Sequence, residues 1–451
     1  MKKSIRILSL LLVFMLVSIS VPVSSARDFY DIYENGEEQR IIDNVLYQRY
    51  TTDFWDIKRE PEYKGSYYVV ADFCVSPEES AKRTEIKIVD EIDGVPVKVV
   101  KDRAVFRRKD TTIKKVTLSN NIVEIGESSL CELPNLESVK LPDNLKYIGE
   151  YAFGSLSCLK GVTIPVGVKE IEGFAFAKCT ALKKVVIKSD DVIIRRGAFK
   201  DCVNLEKFVQ SKNLKSLTIG YSAFEGCSKL KSFKFPDKLY ISDHAFYGSG
   251  LTSVSLPANV SMPLSTGCFA FCKNLKKVVF RNGKVDLEIP RSAFKGCTAL
   301  ETVVLPKSAK SVELDVHAFY GCKSLKTVEN SGTITKILKE AFKNCKKLES
   351  IKLSSRIKVI GIKAFQGCSK LKSVTLKDTK NIPGDSYNYR TNKSSGKFAK
   401  ATFSGTPSNM KFFVKNATVA KKLKTALKGS GVKNARIYSI SGKTLYYKNV
   451  K

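Results

Sequence analysis

An Ala-Phe pair recurs along this chain, and three residues after most of its phenylalanines stands a cysteine. Gly197-Ala198-Phe199-Lys200-Asp201-Cys202-Val203-Asn204-Leu205 is followed 25 residues later by Ser222-Ala223-Phe224-Glu225-Gly226-Cys227-Ser228-Lys229-Leu230. Anchored on the Phe, copies stand at Phe153, Phe176, Phe199, Phe224, Phe246, Phe269, Phe294, Phe319, Phe342 and Phe365, spaced by 22 to 25 residues. Weaker copies flank them at Ala104-Val105-Phe106, Ser129-Leu130 and Ala401-Thr402-Phe403. A unit this short cannot bury its own apolar edge. Only stacking against similar neighbours makes a continuous core, so the period dictates a solenoid.

Each unit carries two apolar segments. Six residues after the Phe comes a Leu and then an alternating triplet, as in Leu159-x-x-Val162-x-Ile164-Pro165 and Leu300-x-x-Val303-x-Leu305-Pro306. Alternation rich in β-branched residues reads as a short strand with one buried face. Successive turns would line these strands into one parallel sheet at a spacing of about 4.8 Å. The second segment, as in Val168-Lys169-Glu170-Ile171-Glu172-Gly173, is too short and Gly-broken for a long helix. Tight or 3-10 turns are expected there, on the outer wall, which makes the chain an α/β repeat solenoid.

The phrase from Ile360 to Leu376, Ile-Gly-x-x-Ala-Phe-x-x-Cys-x-x-Leu-x-x-Val-x-Leu, resembles the BspA-like subclass of leucine-rich repeats, found in secreted and surface proteins of bacteria and some parasitic protists. The resemblance spans roughly residues 84 to 410, and Asp93-Gly94-Val95-Pro96-Val97 matches a short β segment that precedes the repeats in that family. It implies a right-handed, curved solenoid with the sheet on the concave face, used for adhesion or ligand binding and not for catalysis.

Five segments are expected. Lys2, Lys3 and Arg6 before the apolar run Ile7 to Val17, with Ser24-Ser25-Ala26 after it, form a secretory signal peptide over 1–26. Residues 27–83, with Tyr30, Tyr33, Phe54, Trp55 and Phe73 among their apolar side chains, read as an N-terminal cap, Trp55 being buried in it rather than exposed as a sugar platform. The solenoid covers 84–376, an insertion loop 377–396, and a degenerate last repeat with a strand-helix-strand cap 397–451. Gly442 to Lys451 reads as a frayed end. No apolar run after the signal approaches the ~18 residues of a membrane span, and a monomer is expected.

Twelve cysteines in an exported chain first suggest disulfides. Eight of them, Cys179, Cys202, Cys227, Cys272, Cys297, Cys322, Cys345 and Cys368, share one slot, and Ser249 fills it in the turn where Cys is missing. Thiols repeating one strand spacing apart with parallel Cβ vectors are poorly placed for disulfides. They read as a structural column of buried thiols hydrogen-bonded to backbone. Cys74, Cys131, Cys158 and Cys268 lie outside the slot, and a bridge among them stays open. Ligand spacing for a metal occurs only at Cys268 and Cys272, without further ligands nearby. His244 and His317 occupy one slot of two turns and read as repeat-variable positions. No nucleophile-base pair, phosphate loop or metal motif stands out, so neither catalytic residues nor a cofactor are expected. A hydrolase with an unrecognised site is the remotest reading.

The chain is formally +33. Residues 27–100 hold 17 acids against 10 bases, whereas Lys377 to Lys451 hold 17 bases against Asp378 and Asp385. Outside a cell, such a field favours anionic surface polymer or acidic extracellular protein; no nucleic-acid partner is expected. The alternative is a lysine-solvated surface. Two rows of the triplet strands face solvent, and from them the candidate ligand contacts are Lys140, Lys184, Lys207, Lys234, Lys277 and Lys352. A candidate wall-binding patch on the C-terminal helix comprises Lys421, Lys422, Lys424 and Lys428. The sequence thus describes a secreted, non-enzymatic binding or adhesion protein held at a bacterial surface by basic contacts. A soluble protein that binds a host or matrix protein is the second reading.

Overall fold

A computed structural model describes residues 38–447 apart from 44, 51–64, 73–82, 105–111, 132, 259–264, 377–381, 386, 389–392, 400, 433 and 443. The expected signal peptide, Trp55, Cys74 and Phe106 lie outside the described residues. The repeat builds a parallel β-solenoid with two ladders. Triplet segments form the inner one: Gly161–Ile164, Lys184–Ile187 and Lys207–Val209 pair in register, as do Ser253–Leu256, Lys277–Phe280, Thr302–Val304 and Thr327–Glu329. Glu85–Lys87, Lys115–Thr117 and Ser138–Lys140 precede them. Ser350–Leu353, Ser373–Leu376 and Lys411–Val414 follow. In each, the middle apolar residue of the triplet, Val or Ile in most turns and Phe at Phe208 and Phe412, points into the core and its neighbours point out.

The second segment does more than turn. It forms an outer parallel ladder through Val95–Val100, Glu124–Ile125, Tyr147–Ile148, Glu170–Ile171, Asp191–Ile194, Ser216–Ile219 and Lys238–Ile241. Asp286–Ile289, Ser311–Leu314, Ile334–Ile337 and Val359–Ile360 continue it. Among the described residues the one 3-10 helix is Ser331–Thr333. The turns expected on the outer wall therefore begin one step later than the sequence indicated, because two apolar residues per unit suffice to pair when both neighbouring turns offer the same pair in register. The glycine that closes many of these strands is a matter of space. A Cβ on Gly149 would lie 2.6 Å from backbone of the preceding turn, and one on Gly361 2.8 Å.

The Ala-Phe corner follows. The residue two before the Phe and the residue two after it are left-handed: Phe174 (φ 55) and Lys178 (φ 59) flank Phe176, and Ser222 (φ 53) and Gly226 (φ 75) flank Phe224. The N–H groups of Gly197, Phe199 and Asp201 donate to the carbonyls of Tyr221, Ala223 and Glu225 at 2.8 Å, a second set of inter-turn bonds that leaves few corner amides unpaired. Inside the corner the anchor phenylalanines stack. From Phe153 to Phe365 and on to Phe403, eleven rings lie 4.9–5.5 Å apart with interplanar angles of 1–10°. Each such pair contributes about 0.5–1.5 kcal/mol beyond its buried area.

Both ends are closed by strands that join the ladders. Gln39–Ile42, Val45–Tyr50 and Tyr67–Asp72 pair antiparallel with one another, and Tyr67–Asp72 adds in parallel to Val95–Val100. At the far end Ile382 is buried and Gly384 bridges Val359, so the expected insertion loop first completes an outer turn. The helix Ala417–Ala426, capped by Asn416 accepting from the Val419 N–H at 3.0 Å, buries Val419, Ala420, Leu423 and Ala426. Arg436–Ser439 extends the inner sheet beyond Lys411–Val414. The end expected to fray does not do so through Tyr447: Thr444–Tyr447 pairs antiparallel with Arg436–Ser439, because the last strand of the stack otherwise offers a free edge.

Candidate ligand-binding face and the thiol column

The six inner-face lysines are all exposed. Among the described residues none of them pairs with a carboxylate. Three lysines directly after a repeat Leu behave differently: Lys160, Lys326 and Lys372 pair with Glu137, Glu301 and Glu349 of the preceding turn. The sheet brings Lys184 and Lys207 side by side in register. Like charges held one strand apart repel, and a shared anion relieves that repulsion. Lys140, Lys234, Lys277 and Lys352 are spread singly over other turns, so the structure does not gather all six. Between the basic positions runs a row that includes Val186, Val209, Val279 and Val304, with Val209 42 % exposed.

The cap prolongs this row beyond Thr375. Thr375 pairs with Phe413, and Phe413 with Tyr438; their rings stack at 5.5 Å, with Lys411 Nζ 6.0 Å from the Tyr438 ring. The signal was present as two alternating runs, Lys411–Val414 and Arg436–Ser439. What was missing is that they add to the inner sheet in register.

On the terminal helix Lys421 and Lys422 are exposed and Lys424 is half-buried in the last turn, where a cation also favours the helix dipole. The exposed Lys428, expected on the same helix, follows in the turn just beyond its end.

The eight column cysteines are free and buried. Each thiol donates to the carbonyl oxygen of the anchor Phe one turn earlier, for example Cys179 to Phe153, Cys297 to Phe269 and Cys368 to Phe342, all at 3.1 Å. Ser249 lies in the same file, with its hydroxyl 3.3 Å from Cys272 Sγ. Burial pushes the thiols of Cys179 and Cys368 up to about 12. They are packing groups with little thiolate at neutral pH. Cys131, Cys158 and Cys268 are not in disulfides either, so no bridge joins them. His244 and His317 take left-handed positions and lie 5.5 and 5.3 Å from the rings of Tyr247 and Tyr320. Among the described residues no group of three or more His, Cys, Asp or Glu is arranged to hold a metal ion, and no helix is long and apolar enough to cross a membrane.

A family model for the BspA type leucine-rich repeat region matches in six copies, over residues 102–218, 192–313 and 287–404. The chain belongs to this family. Its fold is similar to that of a leucine-rich repeat protein from Bacteroides ovatus, at 19 % identity and a TM-score of 0.54, covering 89 % of this chain and 99 % of that one. A leucine-rich cell surface protein from Faecalibacterium prausnitzii aligns over 77 % of this chain and 91 % of its own, at 19 % identity and a TM-score of 0.42. No protein of curated function matches.

Proposed function

We propose that this BspA-type repeat protein is a secreted, non-enzymatic binding protein retained at a bacterial surface, its terminal helix resting on anionic wall polymer and its inner face free to take an acidic ligand. The supporting observation is a set of open lysines on the inner rows. Lys160, Lys326 and Lys372 pair with glutamates of the preceding turn and Lys115 with Glu85, whereas the six candidate lysines stand exposed and without a carboxylate partner among the described residues. The charged leader before an apolar run supports export, and family membership supports a scaffold that binds rather than reacts.

The test is co-sedimentation with purified cell walls, wall polymer intact or stripped, from about 0.05 to 0.5 M salt, over which the Debye length shrinks severalfold. Pelleting with intact walls at low salt, lost in the triple variant Lys421→Glu, Lys422→Glu, Lys428→Glu, is the expected result. Equal pelleting of that variant would remove the helix from the reading. A protein that never pellets is better described by the second reading, a soluble binder of a host or matrix protein.

A further inference from the structure

Within the repeats, the triplet of the Leu230 turn departs from its neighbours. Lys207–Val209 ends one ladder, Ser253–Leu256 begins the next, and residues 231–236 between them form no strand although they keep the repeat's Leu-x-x-Phe-x-Phe-Pro spacing. The break is bridged by side chains. The Gln210 amide accepts the Lys234 N–H at 3.2 Å and donates to the Lys234 carbonyl at 2.8 Å, replacing the two bonds of a backbone neighbour. From two turns away Arg281 donates to the carbonyls of Phe235 and Pro236 at 3.2 and 3.3 Å and pairs with Asp237 at 2.9 Å.

Two large side chains meet at the break. Phe208 and Phe233 stand in adjacent turns where most others place Val or Ile, and their rings lie 5.3 Å apart. Phe208 stays buried but Phe233 is only half-buried. A shallow, open cleft of about 340 Å³ lies there, lined by Phe208, Gln210, Ser232, Phe233 and Lys234. The exposed Val209 neighbours Phe208 in the strand, and Lys207 and Lys234 stand beside the cleft as members of the unpartnered set.

We infer that this cleft receives an apolar side chain of an extended acidic polypeptide segment lying across the inner face. The inference rests on the reading of that face as an acidic-ligand surface and names the class of ligand. Lysines alone would serve any polyanion. A phosphate-rich polymer, however, has nothing with which to cover Phe233 and Val209, whereas a polypeptide supplies carboxylates for the lysines and an aromatic or aliphatic anchor for the cleft.

The probes are two labelled heptapeptides of equal charge, Asp-Glu-Asp-Phe-Asp-Glu-Asp and the same peptide with Ser at its centre, together with poly(glycerol phosphate). Each is titrated by fluorescence anisotropy at about 0.05 M salt onto the purified chain and its Ser232→Trp variant, whose indole would fill the cleft from an exposed position. The Phe-centred peptide should bind about tenfold more tightly, roughly the gain from burying one aromatic group. Ser232→Trp should abolish that preference, with thermal melts confirming the variant's fold. Equal affinity of the two peptides, or a preference that survives Ser232→Trp, overturns the cleft assignment alone. Tighter binding of poly(glycerol phosphate) than of the Phe-centred peptide overturns it in favour of a polymer ligand. Failure of all three probes to bind overturns the reading of the inner face itself.

Discussion

The thiol of Cys227 donates to the carbonyl oxygen of Phe199, one turn earlier, at 3.1 Å, and that same carbonyl already accepts the backbone N–H of Cys202 at 3.3 Å. The corner ladder uses the carbonyls of residues 221, 223 and 225 and passes over that of the anchor Phe. A buried carbonyl with a second lone pair therefore faces the next turn in every repeat. Cysteine fills that place with a donor small enough for the core and apolar enough to be buried cheaply. Cys227→Ser should keep the bond and cost less than Cys227→Val, which loses the donor and adds a methyl group. A difference of about 1 kcal/mol is expected between the two in urea denaturation, and a valine variant as stable as the serine one would sink this account.

Reactivity offers a separate check on the column. In the native protein the eight column thiols, with Cys131 and Cys268, should resist a neutral-pH thiol reagent. In denaturant without reductant they should all react. Modification of any column thiol before unfolding, or a pair that needs reduction first, contradicts the geometry.

The phenylalanine stack predicts a position effect. Phe294 touches a ring on each side, Phe269 at 5.5 Å and Phe319 at 5.4 Å, whereas Phe153 has a parallel partner in Phe176. Phe294→Ala should cost about 3–5 kcal/mol. Because turns couple to nearest neighbours, it should split a single cooperative melt into two. An unsplit melt shifted by under a degree would argue against a ring-stacked core.

Lys178 takes the left-handed position that Gly226, Gly296 and Gly367 take in other turns. It is exposed, so Lys178→Gly removes backbone strain without removing packing. Relief of about 1–2 kcal/mol against a glycine entropy cost of about 0.5–1 kcal/mol leaves a net gain of roughly 0.5 kcal/mol. Thermal unfolding decides it: a lowered midpoint would mean the Lys side chain contributes more than its backbone costs.

Acid sensitivity should centre on His317. Burial holds its imidazole below the usual histidine value, outweighing the attraction of Glu340, whose carboxylate lies 3.4 Å from Nε2. The folded state then binds fewer protons than the unfolded chain once pH falls below about 6.5, so stability is lost on acidification through that range. The melting midpoint of His317→Gln should vary less between pH 7.5 and 5.5 than that of the parent. Identical slopes would assign the acid response elsewhere.

The repeat was legible at once because its signal is redundant. Eight Cys and ten anchor Phe in one frame announce the period, the buried column and the inner strands, and no single substitution can hide them. The outer ladder was harder to see. A pair such as Glu170-Ile171 carries too little pattern to read as a strand, and it becomes one because Ile148 and Ile194 lie in register on either side. The same holds at Leu230, where Phe233 and Phe235 look like an ordinary strand and the sheet nevertheless opens beside Phe208.

Local chemistry in the sequence by itself determined the period, the core-facing residues and the free thiols, since each depends on one unit repeated. Tertiary structure decided which lysines are neutralised and which stand open, where the inner sheet breaks, and that the cap prolongs the inner face through Phe413 and Tyr438. Those properties depend on distances between residues about 25 positions or more apart, and stacking sets these distances only once every turn has settled on its neighbour.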